Sequence, residues 1–150
     1  MKPVWINIDN WDDPIDHYER SWYGGITPIV RYTILAPFAP PYLVDQNGRH
    51  WKAKDGILSD ENSVPWLFTP FLPRNYGEPA CFLHDQIYAD PEHRIETRLS
   101  INEPWQVVSV SRLQADMILF DGWTAAPGTE PWRNRAGYLA VRAWAWTDWK

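Results

Sequence analysis

The apolar and polar positions in the first third of the chain form the short, interrupted segments that are typical of β-strands. Residues 29–35 are rich in β-branched and aromatic side chains and predict a strand. Residues 42–44 and 50–53 flank the pair Asn47-Gly48. Because glycine readily adopts a positive φ, this pattern predicts a tight hairpin. Residues 9–18 are acidic, contain a proline and predict turns.

Apolar residues in the rest of the chain recur at spacings of three and four, which is the periodicity of amphipathic helices. They predict helices over residues 79–89, 112–123 and 132–146, and Ser111 is a good N-cap for the second of these. Residues 91–108 are polar and carry both charges, so they predict an insertion outside the core. Small strands followed by three helices define an α+β class.

Length and composition limit the kinds of protein that this chain can be. Its 150 residues predict a single domain, 1–150. It carries 14 basic and 19 acidic residues, a net charge of −5, so charge alone does not favour a nucleic-acid partner. Its single cysteine, Cys81, excludes an internal disulfide. We expect no transmembrane segment and no signal peptide, because the sequence lacks the apolar runs that either needs.

The chain contains 11 tryptophans, an unusually high number for its length. An indole buries a large apolar area and keeps one polar N–H, so it suits both cores and interfaces. These residues therefore either fill the core of a small domain or form a surface for a partner. Such a partner is a neighbouring protein or a layer of lipid headgroups.

Two polar residues fall where helical spacing predicts apolar ones. His84 lies in the apolar stripe of the first helix, and Asp116 lies in the stripe of the second, together with Leu113 and Met117. Burial of either polar side chain alone is costly. We therefore predict that the two helices pack antiparallel, with Asp116 accepting the imidazole N–H of His84. Such a pair either locks the fold or is a general base held by an orienting carboxylate.

Further oxygen-bearing side chains lie near this pair or in a separate loop. Asp85 follows His84 and points about 100° away around the helix. It is either a ligand for a hard cation such as Ca²⁺ or an ordinary solvated side chain. Asp60 and Ser63 lie in a polar loop that either completes a metal or substrate site or caps a short helix near Pro65.

Three motifs, in this order, resemble the signatures of a family of tailed-phage and prophage proteins, the one numbered thirteen fifty-three among the domains of unknown function. The first motif is GILSDENSVP at 56–65, the second is ACFLHDQIY at 80–88, and the third is SRLQAD at 111–116. The resemblance covers 56–146 and leaves 1–55 as a β-rich N-terminal part of the same domain. It implies a bacteriophage-associated protein located in the virion or in the host cytoplasm.

The second and third motifs are also similar to the helix pair of phospholipase A2. This similarity implies that His84 activates water, that Asp85 binds Ca²⁺, and that Asp116 orients the imidazole with support from Tyr88. We extend the metal assignment to Asp60.

The substrate assignment uses the remaining polar positions of the motifs. Ser63 in the first motif and Arg112 in the third are assigned to the substrate-binding loop region. Both assignments are hypotheses, and that of Ser63 follows from the oxygen-bearing side chains of its loop.

Two functions of different classes follow. The first is a metal-dependent, Ca-type hydrolase of envelope lipid esters, used in phage entry or lysis, with phospholipid as its partner. The second is a non-catalytic virion protein of the tail or baseplate, whose Trp- and Pro-rich surfaces contact other virion proteins. A particle can carry an enzyme, so the two functions are compatible.

A third, less favoured interpretation is a metal-dependent phosphohydrolase. His84 and Asp85 would supply its central ligand pair, Asp116 or Asp121 its last ligand, and His50 or His17 the upstream histidine. A nucleophilic role for Cys81 is favoured even less, because that residue lies in the apolar stripe one turn before His84.

Overall fold

The structure is a computed structural model that describes residues 1–20, 25–60, 72–73, 75–144 and 149. Its strands occupy mainly the first half of the chain, and its helices occupy the second half, which confirms the predicted α+β class. The strands are β1 (Val4–Ile6), β2 (Trp11–Asp12), β3 (Ile15–Arg20), β4 (Ile26–Arg31), β5 (Thr33–Ile34), β6 (Tyr42–Val44), β7 (His50–Lys52), β8 (Leu58–Ser59), β9 (Arg94–Arg98) and β10 (Gln106–Ser109). The helices are α1 (Glu78–Ala89), α2 (Arg112–Ala125) and α3 (Pro131–Trp144).

The main sheet is antiparallel and has five strands in the order β1-β6-β7-β9-β10. Its centre is the predicted hairpin, in which Leu43 of β6 pairs with Trp51 of β7. The turn forms as expected, because Gly48 has a φ of 83° and its N–H donates to the carbonyl oxygen of Asp45. The remaining strands form two smaller sheets, β2-β5 and β3-β4-β8.

The prediction that residues 91–108 form an insertion outside the core is wrong. They contain the hairpin β9–β10, and β9 also pairs with β7, so this segment is an integral part of the main sheet. Ile95 and Thr97 are buried, and the charged residues Arg94, Glu96 and Arg98 alternate with them on the more exposed face. These charged residues form the outer face of a half-buried strand. Because they are numerous, the alternation of apolar and polar positions in β9 was not recognised in the sequence.

Residues 9–18 also differ from the prediction of turns, because most of β3 lies within them. Every residue of β3 is exposed. Because the strand has no buried face, its sequence does not show the alternation of apolar and polar residues that predicts a strand. It is held by pairing with β4 and by polar contacts such as the 2.5 Å ion pair between Arg31 Nη2 and Asp16 Oδ1.

The helices pack on the main sheet and on one another. Ala80 of α1 faces Gly122 of α2, whereas Tyr88 faces Asp116, so the two helices run antiparallel as predicted. Trp5 of β1 links them to the edge of the sheet, because its Nε1 donates to the carbonyl oxygen of Gly122 at 2.9 Å. Its ring packs against both apolar clusters of the core.

Helix α2 buries a different face from the one predicted. Asp116 is fully buried, as expected, but Leu113 and Met117 are 48% and 38% exposed. The buried side of α2 instead carries Ile118 and Leu119, because the helix lies between α1 and α3. Its N-cap is Ser111, whose Oγ accepts the N–H of Gln114 at 3.1 Å, as predicted. Helix α3 begins at Pro131, and residues 145–146 of its predicted end lie outside the described residues.

Replacement of Gly122 by alanine tests the close contact between α1 and α2. A Cβ at this position would lie 2.5 Å from the Cβ of Ala80. Overpacking of this kind costs about 1–3 kcal/mol, more than the ~1 kcal/mol gained from the higher helix propensity of alanine. We expect Gly122→Ala to lower the free energy of unfolding by up to about 2 kcal/mol in urea titrations. The exposed Leu113→Ala should stay within about 0.5 kcal/mol of wild type, and a stabilised Gly122→Ala would contradict this packing.

Candidate functional site

The centre of the candidate site is the carboxylate of Asp116, which is fully buried. It accepts hydrogen bonds from side chains on two other helices, α1 and α3. Its Oδ1 accepts from Nε2 of His84 at 2.8 Å and from the hydroxyl of Tyr88 at 2.7 Å. Its Oδ2 accepts from Nη1 of Arg142 on α3 at 2.8 Å. The predicted contact between His84 and Asp116 is therefore present, and the hydroxyl of Tyr88 donates to the same carboxylate oxygen.

The charges around Asp116 favour an ion pair with His84. Burial acts to lower the pKa of His84, but the hydrogen bond to Asp116 and the nearby carboxylate of Asp85 outweigh it, so the pKa lies above its usual value. Burial acts to raise the pKa of Asp116, but hydrogen bonds, first from His84 and then from Tyr88, keep it below its usual value. The free protein thus stabilises an imidazolium next to a carboxylate.

The second ring nitrogen of His84 is the reactive position that this arrangement leaves available. Nδ1 accepts or donates no hydrogen bond within the described part of the chain, and it lies 3.9 Å from Oδ1 of Asp85. That distance is too long for a hydrogen bond. The side chain of His84 is 10% exposed and that of Asp85 is 27% exposed, so both are accessible from one side.

Ser59 connects this side of α1 to strand β8. Its hydroxyl donates to Oδ2 of Asp85, and Ser59 itself is buried. Asp60 follows it directly and is half-buried, whereas Ser63 lies outside the described residues. Within the described ranges, no three carboxylate, histidine or cysteine side chains are grouped as a metal would require. The assignment of Asp60 to a metal and of Ser63 to substrate stays a prediction.

Arg112 reaches the site but is mainly occupied by the end of α3. Its Nη2 donates to the carbonyl oxygens of Val141, at 3.1 Å, and Arg142, at 2.6 Å. Its Nε lies 3.8 Å from Oδ2 of Asp116 and is buried without a hydrogen-bond acceptor among the described residues. The structure thus places Arg112 beside the site, and its role in substrate binding stays a prediction.

The residues of the phosphohydrolase interpretation are dispersed in the structure. Nδ1 of His50 accepts from Nε of Arg98 in the main sheet, and His17 bonds to acidic side chains on the exposed strand β3. Asp121 accepts from the backbone N–H of Gln46 at the hairpin turn. These side chains do not converge on His84, so the described residues do not assemble that metal centre.

Three neighbours of the site could not be recognised in the sequence. Arg142 lies 26 residues after Asp116 on another helix, and Ser59 lies 26 residues before Asp85. Arginine is common near the end of an amphipathic helix, and serine is common in a short strand. The sequence around these two residues therefore does not indicate that they contact the site. Trp149 was also missed as a neighbour of the site, although its ring packs edge-on against Tyr88 with centroids 5.0 Å apart.

The fold and site define an α+β protein in which two antiparallel helices share a buried His–Asp pair. Residues 34–141 match DUF1353, a family described as a protein of unknown function, and the chain belongs to that family. The match begins earlier than residue 56 and so includes the central hairpin. Comparison with the curated proteins and with the solved structures finds no match. Among the helices in the described ranges, none has the length and apolar character needed to cross a bilayer.

Proposed function

We propose that this chain is a bacteriophage-associated hydrolase of envelope lipid esters in which His84 activates water. The observation that carries the proposal is the difference in hydrogen bonding between the two ring nitrogens of His84. Nε2 is held by the buried Asp116, and Nδ1 makes no hydrogen bond to any described residue, on the side of α1 where Asp85 is partly exposed. A buried imidazole that only locks the fold has no need of an accessible second nitrogen.

The proposed reaction is general-base hydrolysis. Above the raised pKa of His84, where the imidazole is neutral, Nδ1 accepts a proton from water, and the resulting hydroxide forms a bond to the carbonyl carbon of the ester. The tetrahedral intermediate then expels the alcohol, which takes the proton back from the imidazolium. Asp116 holds the ring in place and stabilises the imidazolium during both steps, as its hydrogen bond to Nε2 allows.

The metal dependence of this reaction rests on Asp85, with Asp60 as the second carboxylate assigned to the ion. One oxygen of Asp85 accepts from Ser59 and the other faces His84. This is fewer ligands than the six to eight oxygens that Ca²⁺ takes, so we derive no catalytic step through the ion. The requirement for Ca²⁺ stays a prediction that removal of the ion tests.

The lipid character of the substrate is supported by apolar side chains exposed on the helices next to the site. Trp132, Leu139 and Trp144 of α3 are each more than half exposed. Tryptophan and leucine on the outside of a helix with three arginines suit the boundary between headgroups and acyl chains. The same helix supplies Arg142 to Asp116, so this surface and the His84 site share one element.

The direct test is product release from vesicles. We expect the protein to release lysolipid and fatty acid from vesicles of mixed phosphatidylethanolamine and phosphatidylglycerol, detected by mass spectrometry. The release should fall to background in EDTA and return with added Ca²⁺. Products that persist in EDTA would remove the metal from the proposal, and no products from folded protein would overturn the hydrolase.

A non-catalytic role as a tail or baseplate component is the second candidate, and a specific observation favours it. Asp116 joins α1, α2 and α3 through His84 and Arg142, an arrangement that also stabilises a structural domain. The proline-rich segment before β6 exposes 93% of Phe38, which suits a contact with another virion protein. Stable association with other particle proteins, without ester hydrolysis, would establish this alternative.

A further inference from the structure

The face of the main sheet that points away from the helices carries a cluster of aromatic and basic side chains, which we call the His50 cluster. Trp51 packs with residues of α1 and α2 on the inner face, and His50 precedes it, so the side chain of His50 lies on the outer face. The ring of His50 stacks on Tyr42 with centroids 4.9 Å apart, and the ring of Trp105 lies 6.4 Å away. His50 is only 9% exposed. The members of the cluster are Tyr42, His50, Lys52, Arg98 and Trp105.

A hydrogen bond from Arg98 fixes the tautomer of His50. The two residues are directly paired across β7 and β9, and Nε of Arg98 donates to Nδ1 of His50 at 3.0 Å. Because a guanidinium N–H always donates, Nδ1 is the unprotonated acceptor, and the neutral ring carries its proton on Nε2. The proton that an imidazole takes up in acid can therefore go only to Nδ1, the atom that faces Arg98.

The charges around His50 oppose this second proton. Arg98 faces the ring from β9, and Lys52 lies on the same face of β7 but pairs with Glu96 at 3.7 Å. Asp45, in the hairpin turn, acts in the other direction, although its oxygens already accept N–H groups of the turn and of an indole. Within the described residues, no carboxylate forms an ion pair with His50. Burial lowers the pKa of His50 and Arg98 lowers it further, against the opposing effect of Asp45.

Arg98 also attaches the loop 99–105, which joins β9 to β10, to the sheet. Its Cζ lies 4.3 Å from the ring centroid of Trp105 in that loop and 4.9 Å from that of Tyr42 on β6. These uncharged rings attract cations, but Arg98 already lies over both, so an imidazolium at His50 would compete with Arg98 for them. Most of the loop is exposed, and Trp105 is the residue that packs it on the sheet.

We propose that His50 is an acid-sensitive switch, in which proton uptake at Nδ1 displaces Arg98 and releases Trp105 and the loop 99–105 from the outer face of the main sheet. At neutral pH the imidazole accepts from Arg98, and Arg98 holds the loop. In acid, Nδ1 becomes a donor that faces another donor, and two cations lie next to each other. The switch shares no residue with the site of His84, so it is independent of whether the protein hydrolyses lipid.

The contact with Arg98 also sets the sign of the pH dependence of stability. The unfolded chain binds a proton at His50 more readily than the folded chain, because only the folded chain places Arg98 against Nδ1. The contribution of His50 to stability is therefore complete at neutral pH. It is lost as the pH falls through the ordinary pKa of histidine toward the lower pKa of the folded state.

Histidine side-chain NMR on the full chain detects this proton directly. We expect the ring nitrogen shifts of His50 to identify the Nε2–H tautomer at neutral pH, and His50 to titrate below the ordinary pKa of histidine. Arg98→Met keeps most of the side-chain length but removes the donor and the charge, so the pKa of His50 should move back toward its ordinary value.

Arg94→Met is the matched control, because Arg94 lies on the same face of β9 but pairs with Asp90. It should leave the titration of His50 unchanged. A wild-type His50 that titrates at or above the ordinary value would overturn the proposal, and so would a titration that Arg98→Met does not change.

Hydrogen exchange followed by mass spectrometry tests the release of the loop. After correction for the intrinsic effect of pH, the amides of 99–105 in wild type should exchange several-fold faster at about pH 5 than at about pH 7.5. In His50→Asn, Oδ1 can accept from Nε of Arg98 in place of Nδ1 but does not titrate in this range, so the corrected rates should be equal. Loosening of the same size in His50→Asn, or none in wild type, would contradict the switch.

Discussion

Replacement of His84 by alanine should reduce lipid-ester hydrolysis by about 10²–10⁴-fold, the range that a general base contributes. The variant loses the only ring nitrogen that we place near the reacting water. Its fold should persist, because Asp116 keeps its hydrogen bonds from Tyr88 and Arg142. Initial rates on phospholipid vesicles, with circular dichroism and Tm measured on the same samples, check both parts.

His17→Ala is the control for loss of an imidazole, since His17 lies on the exposed strand β3 far from the site in the chain. It should hydrolyse vesicles at the wild-type rate. If His84→Ala retains turnover and instead unfolds at a much lower temperature, His84 has a structural role and the virion alternative gains support.

Replacement of Asp116 by alanine should have the largest effect on stability of any single change in the site. It would leave Arg142, His84 and the buried Nε of Arg112 without their carboxylate. Removal of one member of a buried ion pair costs about 3–5 kcal/mol, which for a chain of this length lowers the Tm by roughly 10 °C. Urea unfolding followed by tryptophan fluorescence measures this loss.

Asp9→Ala removes an exposed carboxylate and should change stability by less than about 0.5 kcal/mol. Asp116→Asn should lie between the two, because the amide still accepts hydrogen bonds but carries no charge. A loss below about 1 kcal/mol in Asp116→Ala would show that the three helices do not depend on this carboxylate.

The His–Asp pair could be predicted from the sequence because burial of either residue alone is expensive. His84 interrupts an apolar stripe at helical spacing, and that argument needs no knowledge of distant contacts. For Asp116 the conclusion was right although part of its basis was not. Leu113 and Met117, which shared its predicted stripe, are exposed. A helix between two others buries a wider face than a single stripe shows.

Other features could not be predicted, for physical reasons. β3 is exposed on both faces, so no apolar pattern marks it, and it forms because β4 offers a partner. Arg142 reaches Asp116 through tertiary packing, which spacing along the chain does not encode. By contrast, the alternation of Ile95 and Thr97 with charged residues in β9 was visible but was outweighed by the polar character of the segment.

The contacts of Trp5 show that the folding unit includes β1. The family match starts at residue 34, yet β1 lies before it, pairs with β6 and donates a hydrogen bond to Gly122. A fragment limited to residues 34–141 would lack β1 and would leave backbone N–H and C=O groups of β6 unpaired at the edge of the sheet. Such an unpaired edge strand is a known template for aggregation. It would also stop one residue short of Arg142. The segment that relatives share is thus smaller than the segment that must be expressed to obtain a stable protein.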